Sequence, residues 1–300
     1  MTVLPVFQGP EHRPFLWTTE GSKPFGLLVH GFPGTPAEMR PLGEALRAAG
    51  WGVQGMLLPG FGPKIAALGS YHYQDWTDAI AHEVSRARPD HYPLLLLGYS
   101  LGAALSVQVA MQGLADGLIL IAPFLQLRAG LQGKLLPLLK WIFPRYRPFE
   151  KANFSDPKIR DTISTFAAGV DLDDPDVQAD LRDLSIRSST IDEIRKAGRV
   201  AVQAAKHVTV PTLVLQGLQD ELANPEVSHH LQQRLSGPTQ YREVRAGHDL
   251  IRPENPAWSK VKKTVLEFAQ SLRDMTLADE GRSSERNCAA GESAQPERKA

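Results

Sequence analysis

The chain has 300 residues, with 33 Lys and Arg against 33 Asp and Glu, and is formally neutral at pH 7. That balance excludes a strongly basic nucleic-acid binder and an acidic disordered protein, while 42% apolar and 22% charged residues fit a globular chain long enough to bury a sizeable core. The single cysteine, Cys288, excludes an internal disulfide framework and a cysteine-rich zinc site. The first residues, Met1 to Pro5, carry no basic n-region followed by an apolar run. The longest apolar runs, such as Leu94–Leu97 and Leu118–Ala122, fall far short of the ~20 residues that a membrane helix needs. A soluble cytoplasmic protein without stable membrane insertion is expected.

Along the chain, short apolar runs alternate with helix-like segments. Gly26–His30 reads as the first strong strand and leads into Gly31-Phe32-Pro33-Gly34. A helix over Ala37–Ala49 starts after Pro36 and stops at Gly50. Val53–Leu58 is the next strand, followed by Pro59-Gly60-Phe61-Gly62. Trp76–Ala87 places Trp76, Ile80 and Val84 on one side at helical spacing. Leu94–Gly98 is a strand, and Leu101–Gln112 is small and apolar throughout, as a buried helix should be. Leu118–Ile121 and Thr212–Gln216 are strands, Pro225–Leu235 is a helix, Thr239–Val244 is a strand and Ser259–Met275 is a final amphipathic helix. Unalternating apolar runs separated by helices predict an α/β fold with a doubly wound, mostly parallel sheet.

The alternation breaks between about Phe124 and His207, a stretch with no convincing strand. We divide the chain into a core over 1–123 and 207–277, a helical cap insertion over 124–206 and a disordered polar tail over 278–300. The run Leu135–Phe143 gives the insertion an apolar surface, and Leu139, Trp141 and Phe143 are expected to line a substrate pocket. The neighbouring patch that includes Arg145, Tyr146, Arg147 and Phe149 reads as cap surface rather than a nucleic-acid platform, because the chain has no net charge and no basic stripe elsewhere.

Gly98-Tyr99-Ser100-Leu101-Gly102 matches G-x-S-x-G between a strand and a helix. Ser100 would sit on a tight turn over a helix N-terminus, where developing negative charge is favoured. A serine hydroxyl needs a base, and the base needs an orienting carboxylate. Of the downstream histidines, His248 follows the strand Thr239–Val244 in a Gly-His turn and is the candidate base. His229 and His230 lie in a helix-like stretch and are expected to face solvent, and His207 reads as structural. Asp220, 28 positions before His248, follows Thr212–Gln216 and is the candidate acid, with Glu221 its competitor. The backbone N–H groups of Phe32 and Leu101 are the candidate oxyanion donors, since Pro33 has none. His30 reads as a loop-shaping hydrogen bonder. There is no H-E-x-x-H, no cysteine pair, no G-x-G-x-x-G and no Walker loop, so neither metal nor cofactor is expected.

From about Phe25 to Ser271 the chain resembles the α/β-hydrolases, and within them the bacterial carboxylesterases and monoacylglycerol lipases. The resemblance rests on His30-Gly31-Phe32-Pro33-Gly34-Thr35-Pro36, on Met39-Arg40-Pro41-Leu42, on Gly98–Gly102 and on Asp220 and His248. It implies Ser100 as nucleophile, Asp220 as orienting acid, His248 as base, the Phe32 and Leu101 amides as oxyanion hole, and a small cap. The chain departs from the family at Pro59-Gly60-Phe61-Gly62, where Gly-His-Gly is usual. The expected activity is hydrolysis of small-molecule carboxylic esters of medium or longer acyl chains. A thioesterase, amidase or carbon–carbon bond hydrolase would use the same machinery, and a non-catalytic hydrolase-fold binding protein is the rival of another class.

Overall fold

The computed structural model describes residues 5–18, 23–126, 145–164, 166–167 and 169–292. Nine strands are described: β1 (Phe15–Trp17), β2 (Phe25–Val29), β3 (Gly52–Met56), β4 (Leu94–Tyr99), β5 (Gly117–Ile121), β6 (Arg145–Tyr146), β7 (Ile186–Arg187), β8 (Thr212–Gly217) and β9 (Thr239–Val244). The described α-helices are α1 (Pro36–Ala48), α2 (Tyr73–Ala87), α3 (Leu101–Ala110), α4 (Pro157–Ser164), α5 (Pro175–Asp183), α6 (Ser188–Ala204), α7 (Pro225–Arg234) and α8 (Trp258–Glu292).

Seven strands form one sheet in the order β1-β3-β2-β4-β5-β8-β9. β1 is antiparallel to β3 and every other pair is parallel. The inner strands β2, β3, β4, β5 and β8 are buried at every residue. That explains their unalternating apolar character, because helices cover both faces. Met39, Leu42 and Leu46 of α1 pack with Val261, Val265 and Phe268 of α8 against one face. Trp76, Ile80 and Val84 of α2 and the whole of α3 pack against the other. Helix α3 is buried at every residue because α6 lies over it. Gln108 Nε2 donates to the Ala197 carbonyl at 3.0 Å across that contact.

The register places all the chain exits of interest on one edge. Val29 pairs with Gly98, Tyr99 with Ile121 and Gly217 with Val244. The loops after β2, β4, β8 and β9 therefore meet at the carboxyl end of the sheet, where open α/β sheets bind ligands.

The doubly wound, mostly parallel sheet stands as expected, and the predicted strands and helices are displaced by at most a few residues apart from α8. Three features differ. Strand β1 was not foreseen, being a three-residue edge. The stretch expected to lack strands contains β6 and β7, which pair antiparallel with Arg145 opposite Arg187 and Tyr146 opposite Ile186. Two-residue strands are too short to show any periodicity. Helix α8 continues to Glu292, so the segment expected to be disordered from residue 278 is helical that far. Its polarity suggested disorder, but alanine, glutamate and arginine are all good helix formers. Among the described residues, no helix is long and apolar enough to cross a membrane.

Candidate active site

Ser100 sits at the junction of β4 and α3 with φ 53° and ψ −115°, a left-handed conformation unusual for a residue with a side chain. Tight backbone approach enforces the turn. A Cβ on Gly98 would lie 2.5 Å from the Gly102 carbonyl oxygen, and one on Gly102 would lie 2.3 Å from the Val29 carbonyl oxygen. The Ser100 N–H donates to the Ile121 carbonyl at 2.9 Å, and the Ser100 carbonyl accepts from Phe124 N–H at 3.1 Å. The strained residue is thus held from both sides.

The loop after β9 carries His248 to this point. Its Nε2 is 2.9 Å from Ser100 Oγ. Its Nδ1 is 2.8 Å from Asp220 Oδ2, on the loop after β8. Asp220 is buried, whereas Glu221 is exposed. The Asp220 carboxylate also accepts from the N–H groups of Leu222 (2.9 Å) and Ala223 (2.8 Å) and from Gln216 Nε2 (3.1 Å). Gln216 is fully buried, and its Oε1 accepts from Ser228 Oγ at 2.7 Å. On the other side of His248, the Tyr99 hydroxyl donates to the His248 carbonyl at 3.2 Å. Burial, with Glu38 and Asp249 adding to it, pushes that hydroxyl well above its usual range, so it remains a donor.

The loop after β2 closes the site. Leu58 N–H donates to His30 Nε2 at 3.0 Å, which leaves His30 Nδ1–H to donate to the Gly31 carbonyl at 2.8 Å. Burial lowers this imidazole to about 4, so it stays neutral and keeps that tautomer. In a trans peptide the C=O and N–H point in opposite directions. Fixing the Gly31 carbonyl therefore fixes the Phe32 N–H. Leu101 N–H is the first of α3 and has no helical partner. Neither N–H has an acceptor among the described residues. Phe61, at the position of the departure noted above, is buried with its ring edge-on to His30 (5.0 Å) and to Trp76 (5.6 Å). An apolar contact there supports the imidazole that its backbone partners orient.

A cavity of about 470 Å3 opens above Ser100 and His248. Phe32, Phe124, Phe149, Phe166, Ile191 and Ile194 make much of its wall. The structure therefore brings Ser100, Asp220, His248, Phe32 and Leu101 together. Leu139, Trp141 and Phe143 lie outside the described residues. The neighbouring patch, expected as cap surface, differs in part: Tyr146 is exposed and also lines the cavity, but Phe149 is buried in the cavity wall. His229 and His230 are exposed on α7, and His207 is exposed next to β8. No cluster of three or more potential metal ligands occurs among the described residues. Gln216, Tyr99 and Glu38 were not identified from the sequence. The signal available for Gln216 was a polar residue ending a strand whose every other sign was of complete burial, since such a group must find partners.

A hydroxyl bonded to an imidazole, which is bonded in turn to a buried carboxylate, is an arrangement suited to nucleophilic acyl transfer. The sheet order, the strained serine and the loops that meet it define an α/β-hydrolase. The chain belongs to the serine aminopeptidase S33 family, whose profile matches residues 23–252. Over 107 residues it is 35% identical to a thermostable monoacylglycerol lipase from a Bacillus species, covering 35% of this chain and 41% of that protein, less than half its length. Among solved structures it resembles a metagenome-derived lipolytic enzyme (TM-score 0.69, 21% identity, 87% of this chain and 98% of the other). It also resembles a monoacylglycerol lipase from Paleococcus ferrophilus (TM-score 0.63, 20% identity, 86% and 98%).

Proposed function

We propose that the chain is a serine hydrolase of carboxylic esters, with medium or longer acyl chains as its preferred substrates and monoacylglycerols among them. The observation that carries this reading is the relay of 2.9 Å from Ser100 Oγ to His248 Nε2 and 2.8 Å from His248 Nδ1 to Asp220 Oδ2. Ser100 Oγ attacks the ester carbonyl carbon as its proton passes to His248 Nε2. Asp220 holds the imidazole tautomer and stabilises the imidazolium. The carbonyl oxygen, now negative, takes the Phe32 and Leu101 N–H groups. The carbon–alkoxide bond breaks, and His248 returns the proton to the leaving alcohol. Water, activated by the same imidazole, then releases the acid and restores Ser100. No cofactor enters this sequence.

The apolar cavity above Ser100 supports an acyl chain rather than a polar substituent. The described residues between β5 and β8 belong to a cap in this reading, and Phe149, Phe166, Ile191 and Ile194 are among those it contributes to the wall.

The family's description brings in a second reading, a peptidase that captures a free amino group. Such a site calls for an anion facing the substrate amine. The carboxyl group in the described cavity lining is Glu38, which burial raises to about 8 and which already accepts from the Gly31 N–H, while most of the remaining wall is apolar. That favours the esterase. The test is a panel of p-nitrophenyl esters from acetate to palmitate, monoacylglycerols and amino-acid p-nitroanilides. Turnover that rises with acyl length and is absent on the anilides supports the proposal. Turnover confined to the anilides, or to acetate esters, overturns it.

A further inference from the structure

We propose that Glu38 is a positioning residue for the oxyanion loop, gripping the Gly31 N–H from the first turn of α1 and so fixing the peptide that presents the Phe32 N–H. This rests on the esterase reading and extends it to a residue outside the Ser100, His248 and Asp220 relay.

The geometry begins with Gly31. A Cβ there would lie 3.0 Å from Ser100 Cβ and 3.3 Å from the Tyr99 ring, so the close approach of the loop to the serine favours glycine. Glycine is also the residue with the greatest backbone freedom. A loop that must hold one N–H in a fixed direction needs that freedom removed. Two side chains remove it. His30 holds the Gly31 carbonyl at 2.8 Å. Glu38 Oε1 accepts a hydrogen bond from the Gly31 N–H. With both polar groups of Gly31 held, rotation about its backbone would break one bond or the other.

Glu38 reaches the loop by an unusual route. It follows the N-cap Thr35 by three residues, the position from which a glutamate ordinarily turns back to the N-cap N–H. Here it passes that group and continues to Gly31. Gly34 leaves room for this path, because a Cβ there would lie 2.4 Å from Glu38 Oε2. The open side of Glu38 faces the cavity beside Ser100.

The charge of this carboxyl matters because of where it sits. Burial raises it to about 8, the Gly31 N–H bond opposes that rise, and Asp249 adds to it. The other groups around it are the Tyr99 hydroxyl on β4, His248 and Asp249 on the loop after β9, and Arg252, whose guanidinium is 3.1 Å from Asp249 Oδ2. As pH falls below about 8 the carboxyl becomes mainly neutral and holds the loop with little charge near the reacting carbonyl. Above it, an anion stands beside the position where the oxyanion forms and opposes that charge.

The experiment is kcat and KM against pH from 6 to 9.5 on a p-nitrophenyl ester, for wild type, Glu38→Gln and Glu38→Ala, with melting curves for each. We expect Glu38→Ala to lower kcat by about tenfold to a hundredfold with little change in KM, as for a misplaced reacting group. Glu38→Gln, whose amide oxygen can accept the same N–H, should recover most of that loss. Wild-type kcat should decline above about pH 8, and Glu38→Gln should lack that decline. Full activity in Glu38→Ala, equal loss in both variants, or an unchanged alkaline decline in Glu38→Gln would overturn the inference. If Glu38→Ala does not fold, the pH profile of Glu38→Gln decides alone. If wild type itself turns over no ester, the esterase reading fails instead.

Discussion

Replacing Gly102 with alanine tests whether the closeness of α3 to β2 sets the position of Ser100. The new Cβ would lie 2.3 Å from the Val29 carbonyl oxygen and 2.5 Å from that of His30. A carbon–oxygen contact is comfortable at about 3.3 Å or more, so α3 and β2 must separate by about 1 Å. Both neighbours are backbone and no side chain can rotate away. Overpacking of this kind costs about 1–3 kcal/mol. At about 2–4 °C per kcal/mol for a domain of this scale, the melting temperature should fall by about 2–12 °C. The functional loss should be larger in proportion. Ser100 precedes Gly102 by two residues, and Val29 and His30 lead directly into the loop that carries Phe32, so separation moves the hydroxyl away from the Phe32 N–H. A displacement near 1 Å costs about a hundredfold in rate. The assays are thermal unfolding by circular dichroism and kcat/KM on p-nitrophenyl butyrate. Gly26→Ala is the control, because its nearest neighbours would be ordinary side-chain contacts at 3.5 and 3.7 Å. A Gly102→Ala protein that melts within 2 °C of wild type and keeps a third or more of its activity would refute the reasoning.

Gln216→Leu preserves size but removes the amide that donates to Asp220 and accepts from Ser228. Leaving buried polar partners unpaired should destabilise the fold by about 1–3 kcal/mol, read from urea unfolding, and kcat should fall as Asp220 loosens. Ile194→Trp narrows the cavity, so kcat/KM for dodecanoate relative to butyrate should drop at least tenfold, and an unchanged ratio would show that the acyl chain lies elsewhere. Because burial holds His30 neutral down to about 4 against an ordinary 6.5, the stability that it contributes is present above pH 6.5 and lost as pH falls towards 4. Wild type should therefore lose more melting temperature between pH 6.5 and 4 than His30→Gln does.

Much of the fold was legible because buried parallel strands and their helices mark themselves with runs such as Leu94–Leu97 and Leu118–Ile121. The elbow was legible because the glycines at 98 and 102 flank a serine where a strand meets a helix. His248 and Asp220 were legible because both lie just beyond strands that end on one sheet edge. What stayed hidden depends on contacts between distant parts of the chain. Glu38 looks like an ordinary first-turn acid on α1, and only the folded loop shows that it reaches Gly31. Tyr99 occupies the variable position of its motif, and its bond to the His248 carbonyl spans 149 residues. Phe149 and Phe166 stand on separate turns and Ile194 on α6, and how these distant segments pack decides that they meet at the cavity. The helix to Glu292 was missed because polar composition serves both disorder and an exposed helix.

The most direct test is the site of covalent capture. A fluorophosphonate should add once per chain, peptide mapping should place the adduct on Ser100, Ser100→Ala should show none, and His248→Ala should react far more slowly. No adduct on the wild-type protein, or an adduct that persists in folded Ser100→Ala, would contradict the assignment of this hydroxyl as the nucleophile.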